Sequence, residues 1–139
     1  MTASLFADLK VIDCASWIAG PAAATMLSDF GADVIKIEPP GAGDPWRALT
    51  PIPGKPTDAY WQLTSRNKRS LALDLKQVEG RAVLERLLAS ADVFITNFPL
   101  PVRERLQIAP AQAYFGPALW RESWTSASTP ATQLPDCQL

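Results

Sequence analysis

A chain of 139 residues, 47% hydrophobic and 19% charged, has the composition of one globular domain able to bury a core, not of a disordered segment. A net charge of -1 excludes nucleic-acid binding through a broad basic face, and the lack of histidine removes the usual general base and the commonest metal ligand. No apolar run reaches the ~20 residues that span a bilayer and no basic-then-apolar signal opens the chain, which predicts a soluble cytoplasmic protein without a membrane partner. Cys14 and Cys137 are too few and too far apart for a metal cage or a disulfide framework, so Cys14 reads as a buried strand-end thiol and no metal is expected.

Val11 and Ile12 predict a short strand. Gly20 is expected to let the backbone turn, and Pro21 to open a helix to Phe30, since proline suits a first helical position whose N–H is unpaired anyway. Ala23, Met26, Leu27 and Phe30 supply apolar residues at helical spacing, and Gly31 fits a left-handed C-terminal cap. Asp33 to Glu38 then reads as a strand carrying Val34, Ile35 and Ile37. Pro39 to Thr57 is rich in proline and glycine, predicting a long irregular loop that presents Asp44, Trp46 and Arg47; loops of this length in compact domains are usually functional or mobile.

Further along, Asp58 is an N-cap candidate for a short helix to Ser65, and Ser70 to Asp74 alternates as a brief strand does. Val78 to Ala89 is strongly amphipathic, with Val83, Leu84, Leu87 and Leu88 on one face, and predicts a helix packed on a sheet. Val93 to Thr96 is a further strand, and Pro101 to Leu106 a short helix. This alternation defines an α/β class with mainly parallel strands. From about Ala109 the periodicity stops, and a Ser/Thr run from Ser123 to Thr132 with scattered prolines marks residues 109–139 as a divergent, irregular tail after a domain over 1–108.

In open α/β sheets ligands gather at the carboxyl ends of strands. Residues 18–44 place one such loop inside a βαβ-like unit, and spacing alone suits a ligand loop and an empty crossover equally. Asn67, Lys68 and Arg69, with Lys76 beyond the next strand, either grip phosphate or form a solvated turn, and the charge pattern favours the turn. Asn97 and Phe98 close the later strand, with Arg103 and Arg105 following; the bland reading makes Phe98 core, Asn97 a turn cap and the arginines solvent-facing.

Taken in order, Asp13, the Ala19-Gly20-Pro21 turn, FGADVIKIEPPGAGDPWR, SRNKRSLALDLK and DVFITNFPLPVRERL resemble the N-terminal part of the class III coenzyme A transferases. That family includes formyl-CoA transferase, carnitine CoA-transferase and α-methylacyl-CoA racemase, and the resemblance covers about residues 5–108. It implies a Rossmann-like α/β large domain, a mainly parallel sheet with flanking helices, here an incomplete domain, and interlocked homodimers. It also implies no tightly bound cofactor, with coenzyme A or acyl-CoA as substrate beside a small carboxylic acid.

By position, the resemblance carries CoA contacts to Ile18 and Ala19 in the first loop, Pro39 after the second strand, Leu73, Asp74, Leu75 and Lys76, then Asn97, Phe98 and Pro99, and Arg105. First-loop backbone would face pantetheine or adenine, with Lys76 and Arg105 near the phosphates. Pro39 stands where some members place a basic residue, and Leu100-Pro101 replaces a common Pro-Gly. The family reaction is implied to begin with an aspartate attacking the acyl-CoA thioester to give a mixed anhydride. CoA thiolate then returns to form an aspartyl thioester, and the acceptor carboxylate completes the exchange. That aspartate belongs beyond the Asn97 loop, past another strand and a glycine-rich turn; neither pattern follows Ala109, and Asp136 does not match. The expectation is a truncated CoA-transferase chain with no catalytic residue, inactive alone. The alternatives are a non-catalytic CoA-binding or interaction module, an acyl-CoA racemase-type member, and an enzyme whose aspartate comes from another polypeptide.

Overall fold

The computed structural model describes residues 4–48 and 59–108. Four strands, β1 (Lys10–Asp13), β2 (Asp33–Glu38), β3 (Arg69–Ala72) and β4 (Val93–Ile95), form one sheet in the order β3-β2-β1-β4, and every pairing is parallel. Four helices accompany them: α1 (Ala19–Asp29), α2 (Ala59–Ser65), α3 (Val78–Leu88) and α4 (Leu100–Arg105). The α/β class and the parallel sheet read from the sequence are therefore present. Part of the long loop, the Asp58 cap and the tail lie outside the described residues.

Strand alternation splits the core between the two faces of the sheet. Ile12 and Ile37 point to one side and pack with Cys14, Leu84 and Leu88 of α3, and Ile108. Val11 and Val34 point to the other and meet Ala24 and Ala32. Each fully buried leucine or valine contributes about 1.5–3 kcal/mol. Glu79 in the first turn of α3 and Arg86 in its last complement the helix dipole.

Helix α1 departs from expectation at its start and on its packed face. It begins at Ala19, so Pro21 occupies the third helical position, where its absent N–H still breaks no helical hydrogen bond. Gly20 lies inside the helix; its function is close approach, because a Cβ there would overlap Ala15 Cβ. Met26 and Phe30 face outward, while Pro21, Ala24, Thr25 and Ser28 are buried. Small residues pack inward since α1 lies close both to the sheet and to α2, where Thr25 Oγ1 donates to the Thr64 carbonyl at 2.6 Å. The helix ends as expected: Gly31 has φ +101, its N–H bonds the Ser28 carbonyl at 3.0 Å, and the Ala32 N–H bonds that of Leu27 at 3.0 Å, a Schellman motif.

Strand β3 runs from Arg69 to Ala72, leaving Asp74 in a turn where its Oδ1 accepts the Lys76 N–H at 3.0 Å. The proline- and glycine-rich loop holds a 3-10 turn at Pro45–Ala48.

Candidate functional site at the carboxyl edge of the sheet

All four parallel strands end at one edge. The chain moves from β1 outward through β2 to β3, then returns to the other side of β1 with β4. The reversal point therefore lies between β1 and β4, where this architecture opens a ligand crevice.

Asn97 spans that point. Its Oδ1 accepts the Ser16 N–H at 3.0 Å and its Nδ2 donates to the Ser16 carbonyl at 2.8 Å, clamping the loop after β1 to the loop after β4. Cys14 N–H bonds the Ile95 carbonyl at 2.8 Å just beneath. The Cys14 thiol is buried as expected; burial first, and then the Asp13 carboxylate, push its pKa up to about 12. It is a packing group and not a nucleophile.

The expected CoA-contact residues all fall along this edge or on the elements that leave it. Ile18 and Ala19 are exposed where the β1 loop enters α1, and Pro39 is exposed directly after β2. Leu73 to Lys76 follow β3. The Leu73 N–H extends the ladder to the Glu38 carbonyl at 2.9 Å, and Arg81 donates to the carbonyls of Leu75 at 3.3 Å and Lys76 at 3.0 Å. Gly80 lets α3 press on this turn, since a Cβ there would overlap the Asp74 carbonyl. Pro99 caps α4, whose last residue is the exposed Arg105.

Side-chain roles differ within this set. Leu73, Leu75 and Phe98 pack against the Ile12–Leu84 core cluster, and the Asn97 amide is bonded to Ser16. A ligand at these positions meets backbone, while Lys76, Ile18 and Arg105 offer exposed side chains.

The basic cluster before β3 is split: Asn67 and Arg69 are exposed, as a solvated turn requires, but Lys68 is not. Lys68 Nζ is buried and bonded to Asp13 Oδ2 at 2.9 Å, the Pro21 carbonyl at 2.6 Å and the Thr64 carbonyl at 2.8 Å. Burial lowers its pKa below the ordinary lysine range, opposed by the Asp13 charge. Arg69 pairs with Asp33, at the opposite end of the sheet, and Asn67 donates to Asp29 at 2.8 Å. Internal ion pairing absorbs the charge of Lys68, while the Arg69–Asp33 pair stays at the surface.

A second buried lysine, unremarked in the sequence reading, joins the same cluster. Lys36 stands in register with Asp13 on the neighbouring strand, 3.7 Å from its Oδ2, and pairs with Asp44 Oδ2 at 3.0 Å. The available signal was a lone lysine inside the apolar run Val34-Ile35-Lys36-Ile37, with one aspartate at the end of β1. Beside it, buried Glu38 receives Arg47 at 2.7 and 2.9 Å, Ser70 Oγ at 2.7 Å and the Asp44 N–H at 3.1 Å. Burial would raise its pKa, but these donors, Arg47 foremost, bring it down to about 2.

Aromatic rings line the same region: Trp17 meets Trp46 edge-on at 6.1 Å, and Trp46 meets Tyr60 at 5.6 Å. Arg47 stacks over Trp61 at 3.8 Å. A cavity of about 310 Å³ lies at the other end of the sheet, lined by Lys10, Ile12, Asp33, Ile35, Arg69 and Leu87. It faces strand amino ends and its charges include the Arg69–Asp33 pair, so it lacks the convergent loops of the carboxyl edge. Among the described residues no group of three or more Cys, Asp or Glu is placed to hold a metal ion, and no helix is long and apolar enough to cross a membrane.

Fold and edge together define a four-stranded parallel α/β sheet whose strand order reverses between β1 and β4. The chain belongs to CoA-transferase family III, whose sequence model matches residues 6–114. It is similar to succinyl-CoA–D-citramalate CoA-transferase of Chloroflexus aurantiacus, at 41% identity over 91 residues, covering 66% of this chain and 23% of that protein. Similarity to succinate–glutarate CoA-transferase of Agrobacterium fabrum is 47% identity over 96 residues, covering 65% and 24%. Formyl-CoA:oxalate CoA-transferase of Escherichia coli is 46% identical over 92 residues, covering 65% and 22%. Among solved structures, a CAIB/BAIF family protein from Brucella suis superposes with a TM-score of 0.73 at 36% identity, covering 81% of this chain and 30% of that one. The chain thus matches about a quarter of the length of these curated relatives.

Proposed function

We propose that the chain binds the coenzyme A moiety of an acyl-CoA thioester along the carboxyl edge of its sheet, using the first loop at Ile18 and Ala19, Pro39, the turn Leu73 to Lys76, the loop Asn97 to Pro99, and Arg105. The observation that carries this reading is that segments far apart in sequence, each assigned by the family resemblance, lie at one sheet edge around one reversal point. Lys76 and Arg105 supply positive charge for the CoA phosphates, and the first-loop backbone at Ile18 and Ala19 faces the pantetheine arm. The substrates are a CoA thioester and a small carboxylic acid, in keeping with the names of the three transferases above. The same names favour CoA transfer over racemisation.

Transfer in the family requires a free aspartate nucleophile. Among the described residues, the two buried aspartates at this edge, Asp13 and Asp44, are both paired with lysines, and Asp74 in the turn after β3 accepts the Lys76 N–H. We therefore assign the chain by itself binding without turnover. Isothermal titration with CoA, acetyl-CoA and succinyl-CoA, together with an assay of CoA transfer to succinate, glutarate and oxalate, tests this. Saturable CoA binding with no transfer is expected. Lack of heat at millimolar CoA contradicts the binding site, and transfer by the purified chain contradicts binding without turnover.

A further inference from the structure

We propose that Lys36 and Asp44 are positioning residues of the CoA site, a buried latch that sets the backbone of the first loop; this rests on the functional reading above. Lys36 Nζ lies between the Ala15 carbonyl, to which it donates, and Asp44 Oδ2 at 3.0 Å. Asp44 in turn uses Oδ1 to accept the Trp46 N–H at 2.9 Å and the Trp17 N–H at 3.4 Å, and its own N–H donates to Glu38 at 3.1 Å. One ion pair therefore holds the first loop at Ala15 and at Trp17, while Asn97 holds Ser16 between them.

The loop needs such holding. Trp17 has φ +69, a left-handed conformation that is a genuine outlier for a bulky residue and persists only where surroundings over-determine it. Trp17 is 49% exposed and its ring meets Trp46, so apolar burial alone does not fix it. The next residues, Ile18 and Ala19, are those assigned to meet the ligand through backbone. Recognition by backbone depends on pre-organisation, because a relaxed loop must be reordered when ligand binds. The two charges are also costly to bury, and a pair kept inside at that cost at this edge is well explained by the geometry it enforces.

Two variants of the full chain test the latch. Asp44→Ala removes one partner. The double variant Lys36→Met with Asp44→Asn removes both charges, so that neither side chain is left as an uncompensated buried ion. Leu87→Ala on α3, at the opposite end of the sheet, serves as a control for general loss of stability. Amide hydrogen exchange is read at residues 15–19 and CoA affinity by titration calorimetry. Both latch variants should raise exchange at Trp17 to Ala19 and weaken CoA binding on the order of tenfold, while Leu87→Ala lowers the melting temperature with affinity kept. Unchanged affinity where exchange has risen overturns the positioning role, as does an equal loss of affinity in Leu87→Ala. Absence of CoA binding by the unsubstituted chain instead overturns the functional reading; unchanged exchange in both variants then separately overturns the latch.

Discussion

Lys68 Nζ lies 2.9 Å from Asp13 Oδ2, and both side chains are buried beneath α1 and α2. Lys68 also donates to the carbonyls of Pro21 and Thr64, so one ammonium joins the end of β1, the first turn of α1 and the end of α2. Removing a single partner from a buried pair leaves the other charge uncompensated. Lys36, 3.7 Å from Asp13 and also paired with Asp44, compensates only in part.

Lys68→Met should therefore destabilise the chain by about 3–5 kcal/mol, read from the denaturant midpoint at unchanged slope. The double variant with Asp13→Asn should recover part of that loss. A midpoint shift worth less than about 1 kcal/mol in the single variant contradicts the network.

Glu38 gives the fold a defined acid sensitivity. Its carboxyl titrates at about 2 in the folded chain against an ordinary 4.5, a depressed value, so its stabilisation is complete above about pH 4.5 and is lost as pH falls toward 2. Arg47, the main donor, is 39% exposed, which reduces the contribution to roughly 1–3 kcal/mol. Denaturant midpoints measured from pH 6 down to pH 2.5 should fall through this window in the unsubstituted chain. They should fall less in Arg47→Ala, where Glu38 returns toward its ordinary range; equal slopes in the two proteins contradict the assignment.

Much of the fold was legible because its signals are local. The period of Val83, Leu84, Leu87 and Leu88 fixes α3, and Gly31 marks the end of α1 by a backbone angle that other residues rarely adopt. The edge that gathers Ile18, Leu73 and Asn97 was legible only through ordered motifs, since no local rule brings residues so distant in sequence together. Lys68 and Met26 depart from local expectation for one reason. Lys68 looked solvated and Met26 looked buried, because charge predicts exposure and apolarity predicts burial until tertiary pairing overrides both. Local rules make Gly20 a turn residue; its need for space against Ala15 exists only once α1 is docked.

That contact yields a compensation test. Gly20→Ala should cost about 1–3 kcal/mol by forcing α1 away from the β1 loop. Ala15→Gly in the same chain removes the opposing Cβ and should recover most of the loss, a coupling visible in a double-mutant cycle of thermal unfolding. Simple additivity of the two changes contradicts the close approach.

Occupation of the carboxyl edge of the sheet by CoA is read most directly from an amide chemical-shift map of the full chain titrated with CoA. Saturable shifts are expected at residues 15–19, 73–76 and 97–99 and at Arg105, with little change at Lys10, Asp33 and Arg69 on the opposite edge. Shifts centred on that opposite edge, or none at millimolar CoA, would contradict that occupation.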